Sequence, residues 1–176
     1  IECNTAYGGR RASTALHYQV AEDHGFTAIA PVVIMDEEAE MTLPVAGGTH
    51  LTEAVVGARF AEFDFHVVLS HFKGHAMGGF GGALKNLSIG YASASGKNLI
   101  HTAGKSSTSF MGGDQDAFLE SMAEAASAVM DAAGENILYI NVMNHLSVDC
   151  DCSSRPAAPT MADIAILASL DPVALD

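Results

Sequence analysis

The sequence predicts an α/β fold, a layered arrangement with a mainly parallel sheet flanked by helices. Three observations lead there. Helix-like and strand-like stretches alternate through the second half of the chain. The strand-like stretches at residues 65–69, 137–142 and 164–168 are nearly continuous apolar runs, the pattern of strands buried on both faces. With 176 residues, 49% hydrophobic and 16% charged, the chain is long enough to bury a core without disulfides or metals and reads as one domain over residues 1–176.

Taken in order, Gly8-Gly9 leads to Ser13 or Thr14 as a helix cap, and residues 13–24 read as a helix stopped by His24-Gly25. Residues 27–36 and 41–45 are expected to form a short strand pair around the acidic stretch 36–40. Gly47-Gly48 turns the chain, and Thr49 is expected to cap a second helix through Ala61, with Leu51, Val55, Ala58 and Phe60 at loosely helical spacing. The strand at 65–69 follows, and a helix is expected to start near Gly82. Residues 106–113 have loop composition. Residues 116–132 form an Ala- and Met-rich amphipathic helix stopped by Gly134, and the last two strands follow it. The first residue is Ile1, and residues 171–176 end where a helix would begin, so the chain reads as an excerpt of a longer protein.

A net charge of −13 opposes binding to nucleic acid or to an anionic membrane, and no apolar run approaches the roughly 20 residues that span a bilayer. Cys3, Cys150 and Cys152 do not make a disulfide scaffold, so a reducing, cytoplasmic location fits best. The charge is uneven. Residues 65–113 contain no Asp or Glu, although 21 acids in 176 residues would place about six in such a window, and they hold four of the eight Lys and Arg. A basic, glycine-rich segment in an acidic chain suggests a small anionic ligand.

That segment, residues 70–86, leaves the carboxyl end of a strand, where ligands sit in open α/β sheets. Gly78, Gly79, Gly81 and Gly82 allow close backbone approach, Lys73, Lys85 and Asn86 can bind an anion, and a helix start near Gly82 would aim N–H groups at it. Neither the P-loop nor the dinucleotide spacing is present. His71 and His75 lie four apart, on one side if the segment is helical, and each can serve as a metal ligand, as an acid or base, or as hydrogen-bonded support. His17, His24, His50, His66 and His101 are weaker candidates. A second constellation follows the strand at 137–142: Asp149, Cys150 and Cys152 could join His75 around a metal, or could be small buried cysteines beside an aspartate-capped turn.

Together these blocks resemble the uncharacterised domain-of-unknown-function family 362, whose members are associated with iron–sulfur proteins. The resemblance runs through Asn4-Thr5, His24-Gly25-Phe26, the residues 69–75 and 79–86, Gly96-Lys97, Asp149-Cys150-Asp151-Cys152 and Asp171-Pro172. It implies a ferredoxin-type redox partner. The chain has no Cys-x-x-Cys-x-x-Cys run, so no iron–sulfur cluster follows from it. A more distant resemblance is to the catalytic subunits of nickel-dependent lactate racemases, carried by His75 and Lys85 ten residues apart with Gly79, Phe80 and Gly82 between. It implies a cofactor-linked lysine and histidines in metal and proton roles. The expectation is an enzyme that uses a metal or an anionic cofactor on a small anionic substrate. The alternative is a redox-associated binding module that works with ferredoxin domains.

Overall fold

The computed structural model describes residues 1–150, 155 and 157–176. In chain order its elements are α1 (Thr14–Asp23), β1 (Glu40–Pro44), β2 (Glu53–Gly57), β3 (His66–His71), β4 (Lys73–His75), β5 (Gly79–Gly81), α2 (Ala83–Lys85), α3 (Ala94–His101), α4 (Gln115–Ala133), β6 (Ile137–Met143), β7 (Ala165–Ser169) and α5 (Pro172–Leu175). They divide into two compact units, Ile1–Asp64 with Ser88–Ala132, and Phe65–Leu87 with Ala133–Asp176. Among the described residues no helix is long and apolar enough to cross a membrane.

In the first unit, β1 and β2 pair antiparallel, with Glu40 opposite Gly57 and Pro44 opposite Glu53. This corrects two expectations. Residues 27–36 do not pair with the strand at 41–45. A 3₁₀ turn, Phe26–Ala28, overlaps their start, and Ile34 makes a parallel bridge to Glu2. The helix expected from Thr49 is instead β2 followed by a 3₁₀ turn, Ala58–Glu62. Its apolar spacing suited either period, and the adjacent β-branched Val55 and Val56 favour the pleated form.

α3 was not expected. Ser93 caps it, its Oγ accepting the Gly96 N–H at 3.1 Å. Gly96 is required by packing, because a Cβ there would lie 2.0 Å from the Val55 carbonyl oxygen. α4 agrees with expectation to within a residue at each end, burying Phe118, Ala125, Ala126 and Val129, and Gly134 follows it at φ +58°. His101 stacks on Phe118 with ring centroids 4.8 Å apart.

In the second unit, β6 is central in a three-stranded sheet. It runs parallel to β3, with His66 opposite Ile137 and His71 opposite Val142, and antiparallel to β7. The helix-and-strand composition fits an α/β protein, but the sheets are small and mixed rather than mainly parallel. β3 also differs from the strand expected, since burial alternates along it. Val68 and Ser70 are buried while Val67 and Leu69 are exposed, at 54% and 62%. Short α2 and α5 pack on this sheet. α5 is capped by Asp171, whose Oδ1 accepts the N–H groups of Val173 and Ala174, with Pro172 in the first turn.

Candidate functional site

The glycine-rich segment does not form the open loop expected of an anion cradle. It folds as a hairpin, β4 against β5, with Lys73 opposite Gly81 and His75 opposite Gly79. Among the glycines of this hairpin only Gly79 has positive φ, +74°. The others answer mainly to packing. A Cβ on Gly74 would lie 2.0 Å from the Val148 carbonyl oxygen, and the Gly74 N–H donates to the Ser147 carbonyl at 2.8 Å. The hairpin is therefore laid directly on the segment that leads to Asp149 and Cys150. The two constellations separated by some 70 residues in sequence meet here, within the second unit.

Helix α2 does start after Gly82, but its amides already have an anion. Asp176 accepts the Ala83 N–H on Oδ1 and the Leu84 N–H on Oδ2, both at 2.8 Å, and the Asn141 side-chain amide donates to Oδ1 at 2.7 Å. A Cβ on Gly82 would lie 2.4 Å from that carboxylate, so the glycine makes room for Asp176. The expectation that Gly82 and the following amides receive an external anion is corrected accordingly. The chain's own carboxylate fills the position, a pairing without a local signal because Asp176 is 93 residues from Ala83.

The lysines are differently placed. A Cβ on Gly81 would lie 3.4 Å from Cδ of Lys85 and 3.7 Å from Cε of Lys73, so both stems run alongside this one residue. The two cations are brought together by the hairpin register and the first turn of α2. Asn86 is held back from the hairpin, since its side-chain amide donates to the Leu69 carbonyl at 3.1 Å and to Ser70 Oγ at 3.0 Å. Phe72 stacks on Phe80, with ring centroids 5.4 Å apart.

His71 and His75 lie on strands, so their four-residue spacing does not produce a helical pair. His71 Nε2 donates to the Asn144 carbonyl at 2.6 Å and ties the end of β3 to the residue after β6. His75 Nδ1 accepts the N–H groups of Met77 and Gly78, at 3.2 and 2.9 Å. An acceptor role at Nδ1 places the ring proton of neutral His75 on Nε2. Gly78 thus serves the turn by donating to His75.

The expected metal set is not assembled by the described residues. Among them, no three His, Cys, Asp or Glu side chains are grouped to hold a metal ion. Asp149 Oδ2 accepts the Ala157 N–H at 2.7 Å, and the Asp149 N–H donates to Ser147 Oγ at 3.1 Å, so this carboxylate closes its own loop. Cys150 is half-buried, and Cys152 lies outside the described residues.

The first unit holds a buried polar cluster that the sequence reading did not single out as a site. The Lys97 ammonium donates to the Ala92 carbonyl. Burial pushes the Lys97 pKa down, opposed by Cys3 and Asp36 nearby. Burial likewise pushes the Cys3 thiol up to about 12, and its Sγ–H donates to the Tyr91 carbonyl. Asp36 accepts the Asn4 N–H, and Asn4 Oδ1 is 3.2 Å from Nδ1 of buried His17. With Cys3 protonated and each polar group partnered, the cluster reads as support for the N-terminal segment that bridges to Ile34. An amphipathic α3 pattern would have placed Lys97 outside; the close Gly96–Val55 contact draws its turn inward.

His66 is buried, and desolvation pushes its pKa down. His50 Nε2 pairs with Glu120 at 2.6 Å, and His101 Nδ1 donates to the Lys97 carbonyl.

Comparison with known proteins returns a single kind of match. The family model described as Domain of unknown function (DUF362) covers residues 1–176. No curated protein and no solved structure matches the chain.

Proposed function

This chain belongs to the DUF362 family, and we propose that it is an enzyme acting on a small anionic substrate, bound at the β4–β5 hairpin by Lys73 and Lys85. The observation that carries this reading is the placement of both lysine stems beside Gly81, in a stretch of 49 residues without a single carboxylate. Lysine ammonium groups recognise an oxyanion through charge-assisted hydrogen bonds, and the two stems reach the same stretch of the hairpin. His75 is the proton-transfer group. With Nδ1 held as an acceptor by the Met77 and Gly78 amides, its Nε2–H is the end of the ring that donates. His71 acts as support through its bond to Asn144.

The reading of a cytoplasmic protein rests on the sparse cysteines. The test is calorimetric titration of the chain with inorganic phosphate and with small hydroxy and keto acids. Lys73→Ala and Lys85→Ala should each weaken binding about tenfold, the loss of one charge-assisted contact. His75→Gln should bind as wild type while losing any turnover found with the bound acids. Unchanged affinity in the double lysine variant would remove the proposal.

A further inference from the structure

The first unit contains a cavity of about 330 Å³ that belongs to neither the hairpin nor the buried lysine cluster. Its wall is made by Thr5, Tyr7, Arg10, Arg11, Val20 and His24, with Gly8 and Gly9 completing it. We infer that this cavity is a second ligand site, for a small molecule that presents a carboxylate or phosphate group to Arg10 and Arg11. The two residues are half of the chain's four arginines, set side by side in a protein of net charge −13, and among the described residues no acidic one lines the cavity. Guanidinium groups bind planar and tetrahedral oxyanions through paired N–H donors, which suits one head group shared by two neighbouring arginines.

The arginines are held in position by the segment that carries them. The Thr5 N–H donates to the Arg11 carbonyl at 2.9 Å, the Ala12 N–H to the Gly9 carbonyl at 3.1 Å, and Thr5 Oγ1 to the Tyr7 carbonyl at 3.1 Å. Arg11 donates to the Tyr7 hydroxyl at 3.3 Å, using one nitrogen of its fork. Arg10 pairs with Asp23 at 2.6 Å, an exposed pair whose net contribution is small, so the carboxylate competes only weakly with a ligand. The Tyr7 ring and Val20 give the cavity an apolar wall for the body of the ligand. Its volume lies at the lower end of the range for small-molecule sites.

Gly8 and Gly9 differ from the glycines that packing requires. A Cβ on either would meet no atom within 4 Å, so the space beside them is open. Gly9 needs its φ of +118°, a conformation L side chains rarely adopt. Gly8 has no such need, and a side chain there would enter open space without disturbing the fold. Gly8 lines the cavity, so Gly8→Leu tests whether bulk added at its wall obstructs a ligand.

The experiment is NMR titration of the chain with inorganic phosphate, benzoate and succinate, reading the amides of residues 5–11 and 24. At least one of the three is expected to shift these amides saturably, and the probe that does so separates a phosphate head from a carboxylate head. Arg11→Ala should weaken that binding at least tenfold, and Arg11→Lys should restore it only in part. Gly8→Leu should abolish it with an unchanged melting temperature. Lys73→Ala and Lys85→Ala should leave it unaltered, which distinguishes this site from the hairpin. No saturable shift with any probe, or equal affinity in wild type, Arg11→Ala and Gly8→Leu, would overturn the inference.

Discussion

In each unit a carboxylate distant in sequence fills a run of successive backbone amides. In the first unit the N–H groups of Thr49, His50 and Leu51 converge on Glu124 at 2.6 to 3.2 Å. In the second, those of Ala83 and Leu84 converge on Asp176. Both turns lean on a glycine that approaches something closely: a Cβ on Gly48 would lie 2.1 Å from the Leu51 carbonyl, and one on Gly82 would lie 2.4 Å from Asp176.

The surroundings differ. The Glu124 turn stands beside Glu120 and His50, which pair with each other at 2.6 Å. The Asp176 turn stands next to Lys73, Lys85 and the His75 hairpin. Converging amides and glycines are thus the common hardware of tight turns, and what marks the hairpin as a candidate site is the paired cations.

The strongest way to break the comparison is at the glycines. Gly74→Ala forces a Cβ onto the backbone of Val148 and should destabilise the second unit by about 3 kcal/mol, since overpacking against main chain cannot be relieved by a rotamer change. Urea unfolding followed by a probe in that unit checks it, and a loss below about 0.5 kcal/mol would mean the hairpin does not rest on that segment.

Next is the carboxylate of the first turn. Glu124→Ala strands three amides and should cost about 2 kcal/mol. Its pH dependence has a definite sign. Partial burial raises the Glu124 pKa, but the Thr49, Leu51 and His50 amides outweigh that and hold it below the ordinary value of 4.5. A carboxyl held low in the folded state contributes stability that is present above the unfolded value and lost as pH falls through the folded one. Wild-type stability should therefore fall more steeply below pH 4.5 than that of Glu124→Gln, measured by thermal melts across the acid range.

The smallest effect sharpens the role of His75. Loss of its Nδ1 acceptor in His75→Ala should lower stability by about 1 kcal/mol. His75→Asn should recover most of that, because an Asn side chain can accept the same local N–H groups. A full recovery of both stability and ligand-dependent activity in His75→Asn would leave the imidazole with no chemical role.

Sequence by itself determined the elements whose signal is local. α4 follows from fifteen or more residues of consistent apolar period with a glycine stop, and the positions of α1, β6, β7 and the Asp171-Pro172 cap follow from equally short-range rules, although β7 is largely exposed rather than buried on both faces. It also located the segment that carries Lys73, His75 and Lys85, because composition is visible without coordinates. Residues 49–61 misled, since their apolar spacing fits two periods and only pairing with residues 40–44 selects the strand.

Tertiary structure alone decided the rest: that Asp176 fills the amides after Gly82, that Gly74 lies on Val148, that Lys97 is buried and that Arg10 and Arg11 share a cavity with His24. The physical reason is common to all four. Each depends on which distant groups are brought within hydrogen-bond or van der Waals range, and a one-dimensional pattern carries the chemistry of each partner but not the identity of its neighbour.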